Sequence, residues 1–379
     1  MAPTDLELIF AGTPYRALQR LASGGMGEVF LVEHRELQRQ FVAKVLHQRF
    51  ANDERLLDRM RVEAQTLGRL DSPHIVSVSA VGMTQDGRPF IVMERLIGRT
   101  LAAEIEARGS LPPREAIDYV LQLLMGLEAG HALGIVHRDI KPDNLFLVDL
   151  PDGRRLLKVL DYGIARVLPG PDENAPAPLA WPTETGLVVG TPRYVSPEGA
   201  LGEKVDERAD VYAAGLILYL LLAGRGPFDH LRADAQILAA HVNIAPLAPS
   251  AARGIAPATE WHPYLDDVTL CALRKSPEAR FRSAAEFLAI LQRFADAMDN
   301  GLQPDTELGT DDSDELADSS AATSKSQRPQ HEPEALFGDQ STFRSLLRGP
   351  SRRELPLFTA VVAITAVAVS QVVRLVLAR

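Results

Sequence analysis

Asp139, Lys141 and Asn144 fall within one short string, His137-Arg138-Asp139-Ile140-Lys141-Pro142-Asp143-Asn144, and Asp161-Tyr162-Gly163 follows soon after. These are the polar groups that a phosphoryl-transfer site needs. A carboxylate such as Asp139 can accept the proton of an attacking hydroxyl. Asn144 and Asp161 offer hard oxygens suited to Mg²⁺, which binds through a few protein oxygens together with substrate phosphates. Lys141 is a cation that can sit beside the moving phosphoryl group.

Such a cluster works only if rigid elements hold it. The apolar runs Gly134–Val136 and Leu145–Val148 flank the string and predict two short strands with a polar loop between them. Upstream, Tyr15–Leu21, Glu28–Glu33 and Gln40–Leu46 read as strands. Asp53–Leu70 has helical periodicity, with Leu56, Met60, Glu63, Leu67 and Leu70 near one face. Ile75–Met83 and Pro89–Glu94 read as two more strands, joined by the turn signal Asp86-Gly87. After Gly98 the pattern turns helical. Pro112–Leu133 is a long amphipathic helix, and Val211–Leu222 is nearly all apolar but too short to span a bilayer, hence a buried core helix. Asp234–His241, Leu265–Leu273 and Ala284–Ala297 complete the set. The fold class is therefore α+β, a small β-rich part followed by a larger helical one.

These motifs, in this order, resemble the eukaryotic-type (Hanks-type) protein serine/threonine kinases over about residues 15–297. The resemblance implies a bilobal fold, with a small β-rich lobe and a larger helical lobe. Leu21-Ala22-Ser23-Gly24-Gly25-Met26-Gly27-Glu28-Val29 looks like the family's glycine-rich loop over ATP, with Ala22 in place of the first glycine. Lys44, at the end of Phe41-Val42-Ala43-Lys44, would hold the α- and β-phosphates and pair with Glu63, preferred over Glu54 on spacing. Met93 matches the gatekeeper position, and the backbone of Glu94 and Leu96 would bond the adenine edge. Val29, Ala43 and Phe146 would pack on the base. Tyr162 departs from the family's Phe by one hydroxyl and would pack under the helix that carries Glu63.

Gly190–Glu198 resembles the segment that receives a peptide substrate, with Glu198 expected to pair with Arg280, and Asp210 would cap the catalytic loop. Lys141 together with Thr191 matches the serine/threonine branch. Gly24-Gly25-Met26-Gly27 and Ser196-Pro197-Glu198 look like the bacterial, membrane-associated members. The implied chemistry is transfer of the ATP γ-phosphate to Ser or Thr hydroxyls of proteins in bacterial signal transduction. Asp139, Lys141 and Lys44 would serve as catalytic groups, with Mg²⁺ (or Mn²⁺) on Asn144 and Asp161. Autophosphorylation is expected at Thr183 or Thr185, shortly before Thr191. The alternative is a pseudokinase or nucleotide-binding scaffold. Lys44, Asp139, Asn144 and Asp161 are all present and argue against it, while Gly190–Glu198 argues against a small-molecule kinase.

Composition fits this reading. The chain has 379 residues, 46% hydrophobic and 24% charged, enough for one large two-lobed domain plus appendages. A net charge of −10 gives no bulk-charge reason to expect nucleic acid as a partner. The single cysteine, Cys271, fits a reducing compartment. Residues 1–14 read as a loose leader without a secretory signal. Residues 298–354 are acidic and then basic, too polar to bury a core, and read as a disordered linker. Residues 355–373 carry no formal charge and predict a transmembrane helix over 355–377. Arg344, Arg348, Arg352 and Arg353 precede it and place the kinase part on the cytoplasmic side of a single-pass membrane protein. The chain ends six residues after Val373, so no extracellular sensor is expected. A homodimer is compatible with this sequence.

Overall fold

Alternating side chains build the first part of the chain into one antiparallel sheet. In the computed structural model the described residues are 8–24, 27–68, 70, 72–162, 192–254 and 263–300, with backbone alone at 55, 59, 63, 67 and 263. Strands β1 (Tyr15–Gly24), β2 (Gly27–His34), β3 (Arg39–Leu46), β4 (Val78–Met83) and β5 (Pro89–Glu94) lie in the order β1-β2-β3-β5-β4. Side chains two apart share a face. One face of the sheet carries Tyr15, Ala17, Phe30, Val32, Ala43, Val45, Phe90 and Val92 in a closed apolar cluster. The other carries Leu46, Ile91 and Met93, with Val42 packed beside them, against Leu56 and Met60 of helix α1 (Glu54–Leu67). Asp53 caps that helix, its carboxylate accepting from the Leu56 amide at 2.9 Å.

The leader expected over residues 1–14 is corrected at its end. Phe10 is fully buried and sets its ring edge-on to Phe30 and Phe90, at centroid separations of 5.9 and 5.3 Å. Leu6, Leu8, Ile9 and Phe10 make too short a run to set a period, so only the packing reveals it. Phe10→Ala should lower unfolding stability by about 1.5–3 kcal/mol, the worth of burying one large apolar side chain. Urea denaturation checks it. An unchanged midpoint would mean that the segment docks without contributing to the core.

A second sheet, in the order β6-β7-β8, begins the larger lobe: β6 (Gly98–Thr100), β7 (Leu145–Asp149) and β8 (Arg155–Val159). Between β6 and β7 run α2 (Leu101–Arg108) and α3 (Pro113–His131), followed by the polar string. The strand expected over Gly134–Val136 does not form: its backbone leaves α3 in extended loop, with Ile135 donating back to Gly130 at 3.0 Å. Strand β4 starts at Val78 rather than Ile75, which makes only an isolated bridge to Val159. Beyond the second sheet come α4 (Pro197–Leu201), α5 (Arg208–Ala223), α6 (Asp234–Asn243), α7 (Pro249–Arg253), α8 (Pro263–Ala272) and α9 (Ala284–Asp299). Every residue of α5 from Ala209 to Ala223 is buried, so the near-continuous apolar run is the central core helix. Leu123, Leu127, Ile217, Leu221, Phe287 and Leu291 share one cluster, which joins α3, α5 and α9.

Helix α9 continues to Asp299, where the Arg114 guanidinium donates to both carboxylate oxygens at 2.9 Å. Residues 298 and 299, expected in the linker, thus belong to this helix. Residues 301–379 lie outside the described residues, and with them the rest of the expected linker and the expected span over 355–377. Among the described residues no helix is long and apolar enough to cross a membrane.

Candidate active site

The polar string is built from the backbone outward. Asp210, at the start of α5, is fully enclosed and accepts from the amides of His137 at 2.8 Å and Arg138 at 2.9 Å. His131 Nε2 donates to the same carboxylate at 2.8 Å. Burial alone would raise the Asp210 carboxyl, but His131 and the loop amide of His137 outweigh it and hold the group below the usual carboxylate range. Arg138 takes a left-handed backbone, φ 65°, which this clamp sustains. The expected cap on the catalytic loop is thus in place.

His137 links the loop to the next element. Its Nδ1 accepts from the Asp139 amide at 3.2 Å, so Nε2 carries the proton and donates to the Leu160 carbonyl at 2.9 Å. Leu160 directly precedes Asp161. The polar string and the Asp161 turn are therefore tied through one imidazole.

Two polar side chains, Lys141 and Asn144, converge on Asp139. Lys141 Nζ donates to both Asp139 oxygens, at 3.0 and 2.7 Å. Asn144 Nδ2 donates to the Asp139 carbonyl at 2.8 Å and to its Oδ2 at 2.9 Å. Asn144 sits in a short 3₁₀ turn, Pro142–Asn144, that feeds β7. Its amide nitrogen is occupied, which leaves Oδ1 as the side-chain atom for a cation. Asp161, with φ 54°, turns its carboxylate to Lys44, whose Nζ donates to Oδ2 at 2.6 Å. Lys44 is thus paired with Asp161 in this structure. The Glu63 side chain, its expected partner, lies outside the described residues, as do Gly163, Thr183, Thr185 and Thr191.

Val29, the cross-strand partner of Lys44, belongs to the hairpin of β1 and β2. Ala22 faces Val29, Ser23 faces Glu28 and Gly24 faces Gly27, with Gly25 and Met26 outside the described residues. A Cβ on Gly27 would come within 2.0 Å of the Val45 carbonyl oxygen, so close strand approach demands glycine there. His47 Nε2 lies 2.8 Å from the Gly24 carbonyl and ties the hairpin to the end of β3. Leu21 is 48% exposed, and Glu28 bridges Arg20 at 3.0 Å and Arg88 at 3.2 Å.

Strand parity sorts the apolar lining. Val29 is the cross-strand partner of Lys44, and Val42 is that of Met93. Val42, Lys44 and Leu46 share the face toward the polar cluster, and Leu160 and Leu96 pack near Met93. Ala43 points the other way, fully buried with Phe30 and Val45. Its assignment to the base is corrected: the residue that faces the site is Val42. The signal was available, since residues at even separation from Lys44 must share its face. Phe146 is half-buried on β7, on the face opposite the core residues Leu145 and Leu147. Glu94 accepts from the Ser77 amide at 2.8 Å and from Lys158 Nζ at 2.7 Å through its carboxylate. Its own N–H is taken by the Ser77 carbonyl at 3.0 Å, so only its carbonyl could meet an adenine edge.

Tyr162 is buried in the core of the helical lobe, its ring edge-on to His137 at 4.9 Å. Burial pushes its phenol up. Glu198 and Arg280 form the expected pair, with Nη1 to Oε1 at 2.9 Å and Nη2 to Oε2 at 2.6 Å.

Comparison with known proteins agrees with this geometry. Residues 15–290 match the family described as protein kinase domain. The chain is 38% identical over 278 residues to the serine/threonine-protein kinase Pkn1 of Myxococcus xanthus, covering 73% of this chain and 38% of that protein. It is 39% identical over 283 residues to PksC of Streptomyces coelicolor, covering 72% of this chain and 48% of the relative. PknB of Mycobacterium tuberculosis is 35% identical over 324 residues, 84% of this chain and 48% of the relative. The chain thus spans less than half the length of these three relatives. Among solved structures, the kinase domain of Mycobacterium tuberculosis PknI superposes with a TM-score of 0.56 at 28% identity, covering 77% of this chain and 99% of that one.

Proposed function

We propose, from the premise that this chain belongs to the protein kinase domain family, that it is an ATP-dependent protein serine/threonine kinase. The observation that carries the reading is the arrangement at Asp139. Its carboxylate is held by Lys141 and Asn144, while Asp161 stands on Lys44 across the cleft. That arrangement suits in-line transfer to a hydroxyl, in which the protein contributes position and charge rather than covalent chemistry.

Asp139 orients the substrate hydroxyl and takes its proton. Lys141 lies within reach of both that carboxylate and the incoming phosphoryl group, and offsets charge there. Lys44 orients the α- and β-phosphates beneath the β1–β2 hairpin. Asn144 Oδ1 and the Asp161 carboxylate are hard oxygen donors and fit Mg²⁺ or Mn²⁺, which when bound neutralises phosphate charge. Val29, Val42, Phe146 and Leu160 supply apolar faces for the base.

Incubation of the full chain with labelled ATP and Mg²⁺, with and without a generic basic protein, tests the reading. Label should appear on Ser or Thr of the added protein and on the chain itself, including a second copy as substrate. No transfer to either would overturn it. Thr183 or Thr185 should carry phosphate by mass spectrometry. The exposed Arg138, ahead of Asp139, offers a guanidinium to a group of about −1.5 to −2 charges. Fully active protein that lacks phosphate there would remove that assignment.

We further propose that residues 355–377 anchor the kinase domain to the cytoplasmic face of a membrane. What supports this is the uncharged run 355–373 and the arginines at 344, 348, 352 and 353 before it. Deleting 355–379 should release active protein from the membrane fraction. Extraction of the full chain by an alkaline carbonate wash would instead show a peripheral segment.

A further inference from the structure

Gly130 is buried in the last turn of α3, one residue before the helix ends at His131. Its φ is not positive, so backbone conformation alone does not call for glycine there. The neighbouring Tyr162 accounts for it. A Cβ placed on Gly130 would stand 1.8 Å from Tyr162 Oη, 2.3 Å from Cζ and 2.7 Å from Cε1. No real contact is that close, so the ring occupies the space a side chain would need. The hydroxyl itself is weakly held, its acceptor being the Leu127 carbonyl at 3.4 Å. The seat is therefore steric. On its other side the ring meets His137 edge-on at 4.9 Å.

Tyr162 directly follows Asp161, whose left-handed backbone aims its carboxylate at Lys44. We propose that Gly130 is a positioning residue: its missing side chain forms the notch that seats Tyr162, and through Tyr162 it holds Asp161 in the cleft. The activity part of this inference rests on the kinase reading above. The notch itself does not.

The test is a double-mutant cycle on the full chain with Gly130→Ala, Tyr162→Leu and the two combined. Leucine lacks the Oη, Cζ and Cε1 atoms nearest the notch. Two readouts are taken, the urea unfolding midpoint and the rate of MgATP-dependent transfer. Gly130→Ala alone should lower the midpoint, against the sign of helix propensity, and reduce transfer about tenfold or more. In the Tyr162→Leu background the same substitution should change transfer by less than about twofold and leave the midpoint level or higher. Gly130→Ala at wild-type stability and rate would overturn the proposal. So would an equal loss in both backgrounds. If Gly130→Ala does not fold, a folded double variant supports the notch and an unfolded one overturns it. If the wild-type chain transfers no phosphate, the kinase reading fails by itself, and the unfolding midpoints still decide the notch.

Discussion

Asp139→Asn should cut phosphoryl transfer by about 10²–10⁴-fold, the usual worth of a positioned general base, with little change in MgATP affinity. The carboxylate receives Lys141 on both oxygens and Asn144 on Oδ2. An amide in its place presents one oxygen instead of two to those donors and cannot take the hydroxyl proton. The nucleotide end of the cleft, where Lys44 meets Asp161, is built by other elements and is left intact. Asp161→Asn serves as the contrast and should weaken Mg²⁺-dependent nucleotide binding as well as transfer. Single-turnover rates and nucleotide titrations separate the two effects. Wild-type transfer without the Asp139 carboxylate would sink its assigned role.

Arg280→Ala should destabilise the fold by about 3–5 kcal/mol, as expected when one partner of a buried ion pair is removed. The Arg280 side chain is 0% exposed and that of Glu198 5%. The guanidinium also donates to the carbonyls of Arg274 at 2.7 Å, Arg208 at 3.0 Å and Lys275 at 3.0 Å. Its loss leaves a buried carboxylate and three carbonyls without their donor. Replacing both Arg280 and Glu198 with leucine should recover part of the loss, because no uncompensated charge remains. Urea unfolding of the single and double variants measures this. A cost below about 1 kcal/mol for Arg280→Ala would place the pair with weak surface bridges instead.

Asp139 and the Glu198–Arg280 pair differ in how locally the sequence encodes them. Asp139 could be named from neighbouring letters, because His137 to Asn144 is one local segment and its chemistry is carried by residue type. The Glu198–Arg280 pair could be named only through a family pattern, since the two residues lie far apart in the chain. The main strands and helices were legible in the same local way. Periods of two and 3.6 follow from backbone geometry, and the apolar run of α5 had room for only one reading.

The errors share a cause. The family resemblance sets Ala43 beside the base, yet adjacent residues of a strand face opposite sides, and the site faces Val42. Phe10 lies in the expected leader, and its partners Phe30 and Phe90 come from two strands distant in sequence. The short elements β6, β8 and α2 carry too few residues for a periodic signal.

Residue type and order set the chemistry open to this protein: which carboxylates, lysines and amides are present, and on what kind of element. That much is local, because motif identity and backbone periodicity are properties of neighbouring residues. The tertiary structure decided which of those groups meet. Lys44 and Asp161 touch because two separate elements converge on one cleft. Asp210 reaches the loop before Asp139 because α5 is buried beneath it. Tyr162 fits because Gly130 on α3, distant in sequence, leaves it room. Each contact depends on packing between segments distant in sequence, where close-packed volume rather than residue pattern sets the answer.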